Sequence, residues 1–270
     1  MNKSNGRIGK TLVPVLLLAA GSLAGCEKPI SEAKASNLSA GLASFEQRQF
    51  GAALAAADRQ LAEGTFGITA ARAYYLRGRV LEDKPAASDA EAAANLAAAA
   101  TAYRLALAAG PDAELEPLIR ASYGDVAYWQ ADYATALAQW GRCYRQISDA
   151  SLQAAVLLRI GQCQQRLGQF EDADNTFAVL ARAHPGTPAA TQATAAIGKR
   201  EFLVQVGVFS QAPSAGRLAS DLKSQGMPAT TRPDAKGRHV VAVGPLDSYA
   251  SAEAVKQRIA AQFPDAMIKP

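Results

Sequence analysis

The last 70 or so residues contain two short apolar runs, Phe202 to Phe209 and His239 to Leu246, each followed by a segment of helical periodicity. That order constrains the fold more than any other feature of the chain. The first run is rich in β-branched and aromatic residues, as an extended strand should be, and it ends at Ser210 and Pro213, which open an amphipathic helix. Leu218 and Leu222 lie four apart on the apolar side of that helix. Gly226 stops it, Met227 to Arg232 is a short extended piece, and Pro233-Asp-Ala-Lys-Gly237 predicts a hairpin turn into the second run. A second helix is expected from near Ser251, with Glu253 behind it and Ala254, Val255 and Ile259 turned inward. Pro264 ends it, and Ala266 to Ile268 supply a last strand. The order βαββαβ packs both helices on one face of an antiparallel sheet and leaves the other face open to solvent or ligand.

Val204-Gln-Val-Gly-Val-Phe209, Ala215 with Leu218 to Leu222, and Val241-Ala-Val-Gly-Pro-Leu246 with Ala252 or Ala254 resemble the SPOR domain. Members of that family bind peptidoglycan glycan strands stripped of their stem peptides on the open sheet face. The resemblance implies that Gln205 belongs to the glycan surface and that Gly207 and Phe209 are the family's glycine and core aromatic. Val208 stands where the family usually has Ser, and Val240 where many members have Arg. Alternation in the second apolar run sets Val241 and Val243 on one face and Arg238, Val240 and Ala242 on the other, so Arg238 would bring a cation near the vacated position. A solvated charge of the hairpin is the plainer reading of Arg238, and both stay open. The expected glycan-binding set is Gln205, Val208, Arg238 and Val240. With no tryptophan on such a surface, binding rests on hydrogen bonds of about 0.5 to 1.5 kcal/mol each, so affinity should be modest and tethering near the polymer would matter.

The other end of the chain suggests a tether. Lys3, Arg7 and Lys10 form a basic start, Thr11 to Ala20 is an apolar run too short for a membrane span, and Leu23-Ala24-Gly25-Cys26 follows. This tetrapeptide resembles the bacterial lipobox. The resemblance implies a signal peptide over residues 1–25, lipidation of Cys26 with a linker to residue 35, and, because Glu27 follows the Cys, an outer-membrane anchor facing the periplasm. Several acyl chains at about 0.8 kcal/mol per buried CH₂ would hold such a protein at a membrane.

Charge excludes one partner class. With the leader's three basic residues set aside, 25 Lys and Arg face 24 Asp and Glu, a balance that argues against nucleic acid. Residues 199 to 270 carry ten basic and six acidic residues, whereas residues 27 to 198 carry fifteen and eighteen. A mildly basic module therefore follows a mildly acidic body, and 49% apolar content over 270 residues allows two folded regions.

The body, residues 36–198, is alanine-rich and repetitive. Gly161, Gly168, Phe170, Ala173, Phe177 and Pro185 fit a repeat of roughly 34 residues, Gly124, Tyr133, Ala136 and Trp140 form a second copy, and weaker copies start at Gly41 and Gly78, the latter interrupted over Asp83 to Ala94 by a longer loop or an extended helix. Small residues let paired helices approach while aromatics fill the gaps between them. These positions resemble tetratricopeptide (TPR) repeats, which implies an all-α solenoid that scaffolds another protein, here an envelope protein. Tyr74, Tyr75, Tyr123, Tyr128 and Trp129 would line its surface or, more plainly, fill its core. In an oxidising periplasm Cys143 and Cys163 would be free to pair; two small buried hydrophobes are the alternative.

Nothing in the sequence supports catalysis, a cofactor or a metal: the two histidines, His184 and His239, are isolated, and no Gly-x-Ser-x-Gly, His-Glu-x-x-His or Cys-x-x-Cys occurs. The expected fold is thus a TPR-like helical solenoid followed by a small α+β domain over residues 199–270. The expected function is that of a non-catalytic envelope lipoprotein of cell division or wall remodelling, with a protein-assembly or secretion accessory as the alternative.

Overall fold

The computed structural model describes residues 32–270; Cys26 and the preceding leader lie outside them. Among the described residues nine α-helices come first: α1 (Glu32–Glu46), α2 (Phe50–Ala62), α3 (Gly67–Asp83), α4 (Asp89–Ala108), α5 (Leu115–Trp129), α6 (Tyr133–Cys143), α7 (Ala150–Arg166), α8 (Phe170–Ala183) and α9 (Pro188–Ala196). Then follow β1 (Phe202–Phe209), α10 (Ala212–Ser224), β2 (Ala229–Pro233), β3 (His239–Leu246), α11 (Tyr249–Ile259) and β4 (Met267–Lys269). No helix among the described residues is long and apolar enough to cross a membrane.

The helical repeats share one local geometry. Gly41, Gly124 and Gly161 each stand seven residues before a residue of positive φ, namely Arg48 (59°), Ala131 (61°) and Gly168 (76°). At each of these turns an amide donates to the carbonyl five residues back: Gln49 to Ser44 at 2.8 Å, Asp132 to Ala127 at 2.9 Å and Gln169 to Gln164 at 2.8 Å. That bond is the mark of a helix closed by a left-handed residue. Sixteen residues after the same glycines come Ala57, Trp140 and Phe177, all fully buried. A β-carbon on Gly124 would overlap the Trp140 ring, and one on Gly161 the Phe177 ring, so only glycine admits the aromatic at this helix contact.

Gly78 meets Tyr103 in the same way, but across a longer spacing. The interruption over Asp83 to Ala94 proves to be a short loop and then a 20-residue α4, whose start is fixed by a reciprocal cap. The Ser88 hydroxyl accepts from the Glu91 amide at 3.2 Å, and the Glu91 carboxylate accepts from the Ala87 amide at 2.7 Å.

Two compact units are present. One runs to Asp132 and resumes over Ala138–Leu152; the other comprises Tyr133–Leu137 and Gln153–Pro270. The second unit therefore holds α7 from Gln153 onward, α8 and α9 together with the whole sheet domain. Its sheet is antiparallel, in the order β2-β3-β1-β4. Phe202 and Val204 of β1 and Val241 and Val243 of β3 bury against Ala215, Ala219 and Leu222 of α10 and Ala252 and Ile259 of α11. Both helices therefore lie on one face. The α11 helix starts at Tyr249, earlier than the sequence suggests, because the Ser248 hydroxyl caps it by accepting from the Ser251 amide at 3.1 Å. Ala252 is accordingly the buried alanine, and Ala254 is exposed rather than inward.

Candidate functional site

The uncovered face of the sheet is built from rows of residues that oppose one another across the strands. In one row Thr230, Ala242, Gln205 and Met267 run through all four strands; in the next, Arg232, Val240 and Val208 run through three. Their neighbours along the strands, among them Val204, Val241 and Val243, belong to the core on the other side. Strand alternation thus fixes these seven side chains outward.

One irregularity makes this arrangement possible. Gln205 and Val208 are three residues apart, a spacing that in a regular strand would direct them to opposite faces. A bulge lies between them: Gln205 opposes Ala242, whereas Gly207 already opposes Val241, leaving Val206 as the extra residue. Val206 and Phe209 both pack on the core, and the strand beyond the bulge turns Val208 outward beside Gln205. A β-carbon on Gly207 would sit 2.9 Å from the edge of the Phe209 ring, so any other residue at the bulge's inner corner would have to displace that ring.

The surface is mixed. Ala242 and Val240 form a buried apolar floor at the centre, Gln205 is half-buried, and Val208 is 38% and Met267 41% exposed. Thr230 and Arg232 on β2 are exposed, as is Lys269 on β4, which opposes Leu203. No carboxylate stands among these outward positions. Such a face offers amide, hydroxyl and guanidinium groups around an apolar strip, suited to a polymer that presents both polar groups and flat apolar patches.

Arg238 is placed elsewhere. It precedes β3 in the hairpin turn, where its guanidinium donates to the Asp234 carboxylate at 2.8 Å while its own amide and that of Lys236 donate to the other oxygen at 2.9 and 2.8 Å. The Arg238 amide, then its guanidinium, hold the Asp234 carboxyl below its ordinary value. The Arg238 guanidinium is thus paired within the hairpin while its side chain stays 52% exposed. The cation that does stand next to Val240 is Arg232, which sequence reasoning missed because Thr230-Thr231-Arg232 registered only as a short extended connection.

In the helical part, Tyr74, Tyr75 and Tyr123 are partly buried against the cluster around Tyr103 and Ile119, while Trp129 is 44% exposed. Cys143 and Cys163 are free thiols, each fully buried, and burial first of all pushes both up to about 12. They occupy the structure as small hydrophobes rather than as a disulfide. Among the described residues no group of three or more His, Cys, Asp and Glu gathers to hold a metal.

Residues 198–270 match the family model of the SPOR domain. Among solved structures the chain is similar to YrrB, described as a TPR protein with an unusual peptide-binding site, at 20% identity and a TM-score of 0.46 over 59% of this chain and 75% of that one. No curated protein matches.

Proposed function

From a chain in which TPR-like repeats precede a SPOR domain, we propose a non-catalytic cell-envelope protein that binds stripped peptidoglycan glycan strands on the open face of its sheet and holds an envelope protein on its helical repeats. The observation that carries this reading is the coincidence of the SPOR match with an uncovered sheet face on which a bulge aligns Gln205 and Val208. Denuded strands are what amidases leave at sites of wall splitting, so the protein acts in cell division or wall remodelling. Cys26 carries the lipid anchor, at the inner leaflet of the outer membrane, and confinement beside the wall offsets the modest affinity of a face without tryptophan.

The experiment is sedimentation of the full chain in detergent with whole and amidase-stripped peptidoglycan. The wild type should pellet selectively with stripped material, and Gln205→Ala should weaken this about three- to tenfold, the loss of one or two hydrogen bonds. Equal pelleting of wild type and Gln205→Ala would remove Gln205 from the site. In fractionated cells producing the full chain, Cys26→Ser should release the protein from the membrane fraction; continued membrane association would end the lipoprotein assignment.

A second reading has its own support. Val208 and Val240 replace polar contacts by apolar ones side by side on the open face, and Val208 is exposed. A face altered in this way suits a protein-assembly or secretion accessory whose sheet domain is a weak localiser or protein-binding module. Absence of pelleting with either polymer would favour it.

A further inference from the structure

The open face bears two cations, Arg232 and Lys269, and no anion among its outward positions, and the two stand on opposite edge strands. Arg232 is the better placed. It opposes Val240, which opposes Val208, and it lies two residues along β2 from Thr230, whose row contains Gln205. Directly opposed residues on one face have β-carbons about 5 Å apart, a distance that a guanidinium on a four-bond stem spans. Arg232 therefore covers Val240 on the neighbouring strand, and a ligand lying along the row from Val240 to Val208 comes within its range. Arg232 is exposed, as is Arg238, whose guanidinium however donates to Asp234.

Resting on the peptidoglycan reading above, we infer that Arg232 recognises the carboxylate uncovered when a stem peptide is removed from the glycan strand. In intact wall the lactyl group of each muramoyl residue is joined to the peptide through an amide. Hydrolysis of that amide consumes one water, releases the peptide amine and leaves the lactyl carboxylate, ionised at neutral pH. Stripping thus replaces, at the lactyl position itself, a neutral amide bearing a bulky peptide by a compact anion at each muramoyl residue. A guanidinium fork pairs with such a carboxylate through two parallel hydrogen bonds, while it gains little from an amide. The absence of acidic groups on the face means that nothing competes for or repels that anion. Selectivity for stripped strands then comes from charge as well as from the removal of bulk.

The test uses the full chain in detergent with amidase-stripped glycan, half of it with carboxylates capped as methylamides by carbodiimide coupling. The wild type should bind uncapped glycan about three- to tenfold more tightly than capped, the range between an exposed ion pair and a charge-assisted hydrogen bond. Arg232→Ala should bind both polymers alike, at the wild type's level for the capped one, and Lys223→Ala on α10, across the sheet, should retain the full preference. Because Val240 shares the row, the double variant Arg232→Ala/Val240→Arg should recover the preference from the neighbouring strand. Retention of the preference by Arg232→Ala, or its equal loss in Lys223→Ala, overturns the assignment. Indifference of the wild type to capping overturns the carboxylate while leaving the peptidoglycan reading intact; failure of the wild type to bind either polymer overturns both.

Discussion

Glu82 illustrates how one buried side chain changes the behaviour of a helix pair. It lies on α3 beside Arg79, whose guanidinium is 3.9 Å away and also 3.3 Å from Asp83, and it accepts the Tyr103 hydroxyl at 2.7 Å. Burial first, and then the charge of Asp125, push the Glu82 carboxyl up to about 7, against the opposing effects of Arg79 and Tyr103. In the unfolded chain the same group titrates near its ordinary 4.5. The folded state therefore holds a proton more firmly than the unfolded one, so the contribution of this group is complete below the unfolded value and is lost as pH rises through 7. Chemical denaturation of the wild type and of Glu82→Gln between pH 5 and 8 should show the wild type losing stability relative to the variant as pH rises. The difference should reach at most about 3 kcal/mol, because each tenfold gain in proton affinity on folding is worth about 1.4 kcal/mol. A wild type that gains on the variant with rising pH would reverse the assignment.

At the scale of elements, what the sequence made legible follows from which residues leave no alternative. Gly124 with Trp140 and Gly161 with Phe177 were readable because an aromatic of that size can enter a helix contact only opposite a missing side chain. The βαββαβ order was readable for a similar reason: Gly226, the Pro233 to Gly237 turn and the two apolar runs each punctuate the chain strongly. Caps were missed although their letters were present. Ser88-x-x-Glu91 starts α4 and Ser248-x-x-Ser251 starts α11, and overlooking the second displaced the inward alanine from Ala252 to Ala254. The bulge in β1 was not legible at all, since Val204-Gln-Val-Gly-Val-Phe209 reads as regular alternation and only the pairing with β3 reveals Val206 as the extra residue. Arg232 escaped because its importance depends on which strand lies beside β3, a fact of topology that composition does not carry.

At the scale of the whole molecule, the change from helices to sheet near residue 199 is not where packing divides. The unit that contains the sheet also contains most of α7, α8, α9 and the first turn of α6, and the join is specific. The Arg166 guanidinium lies over the rings of both Tyr133 and Tyr249, 4.7 and 4.8 Å from their centroids, while the two hydroxyls are 3.2 Å apart. Tyr249 packs edge-on against Phe202 at 5.5 Å, and Phe202 lies 6.4 Å from Phe170 on α8. Arg200 ties the segment before β1 to Asp174 of α8 at 2.6 Å. The start of β1, which meets this cluster together with the start of α11, belongs to the strand on which Gln205 is mounted. Orientation of the open face is therefore set by the last helical repeat, not by a free linker. Replacing Arg166 by Ala removes two cation–ring contacts of about 0.5 to 1 kcal/mol each and should lower the protection of amides in β1 and α11 by about five- to thirtyfold in native-state hydrogen exchange. The interior of α10, remote from the cluster, should keep its protection if the effect is local opening of the join. Unchanged exchange in β1 and α11 would mean that the sheet domain stands alone energetically, and that the aromatic cluster only accompanies a boundary set by the chain's change of secondary structure.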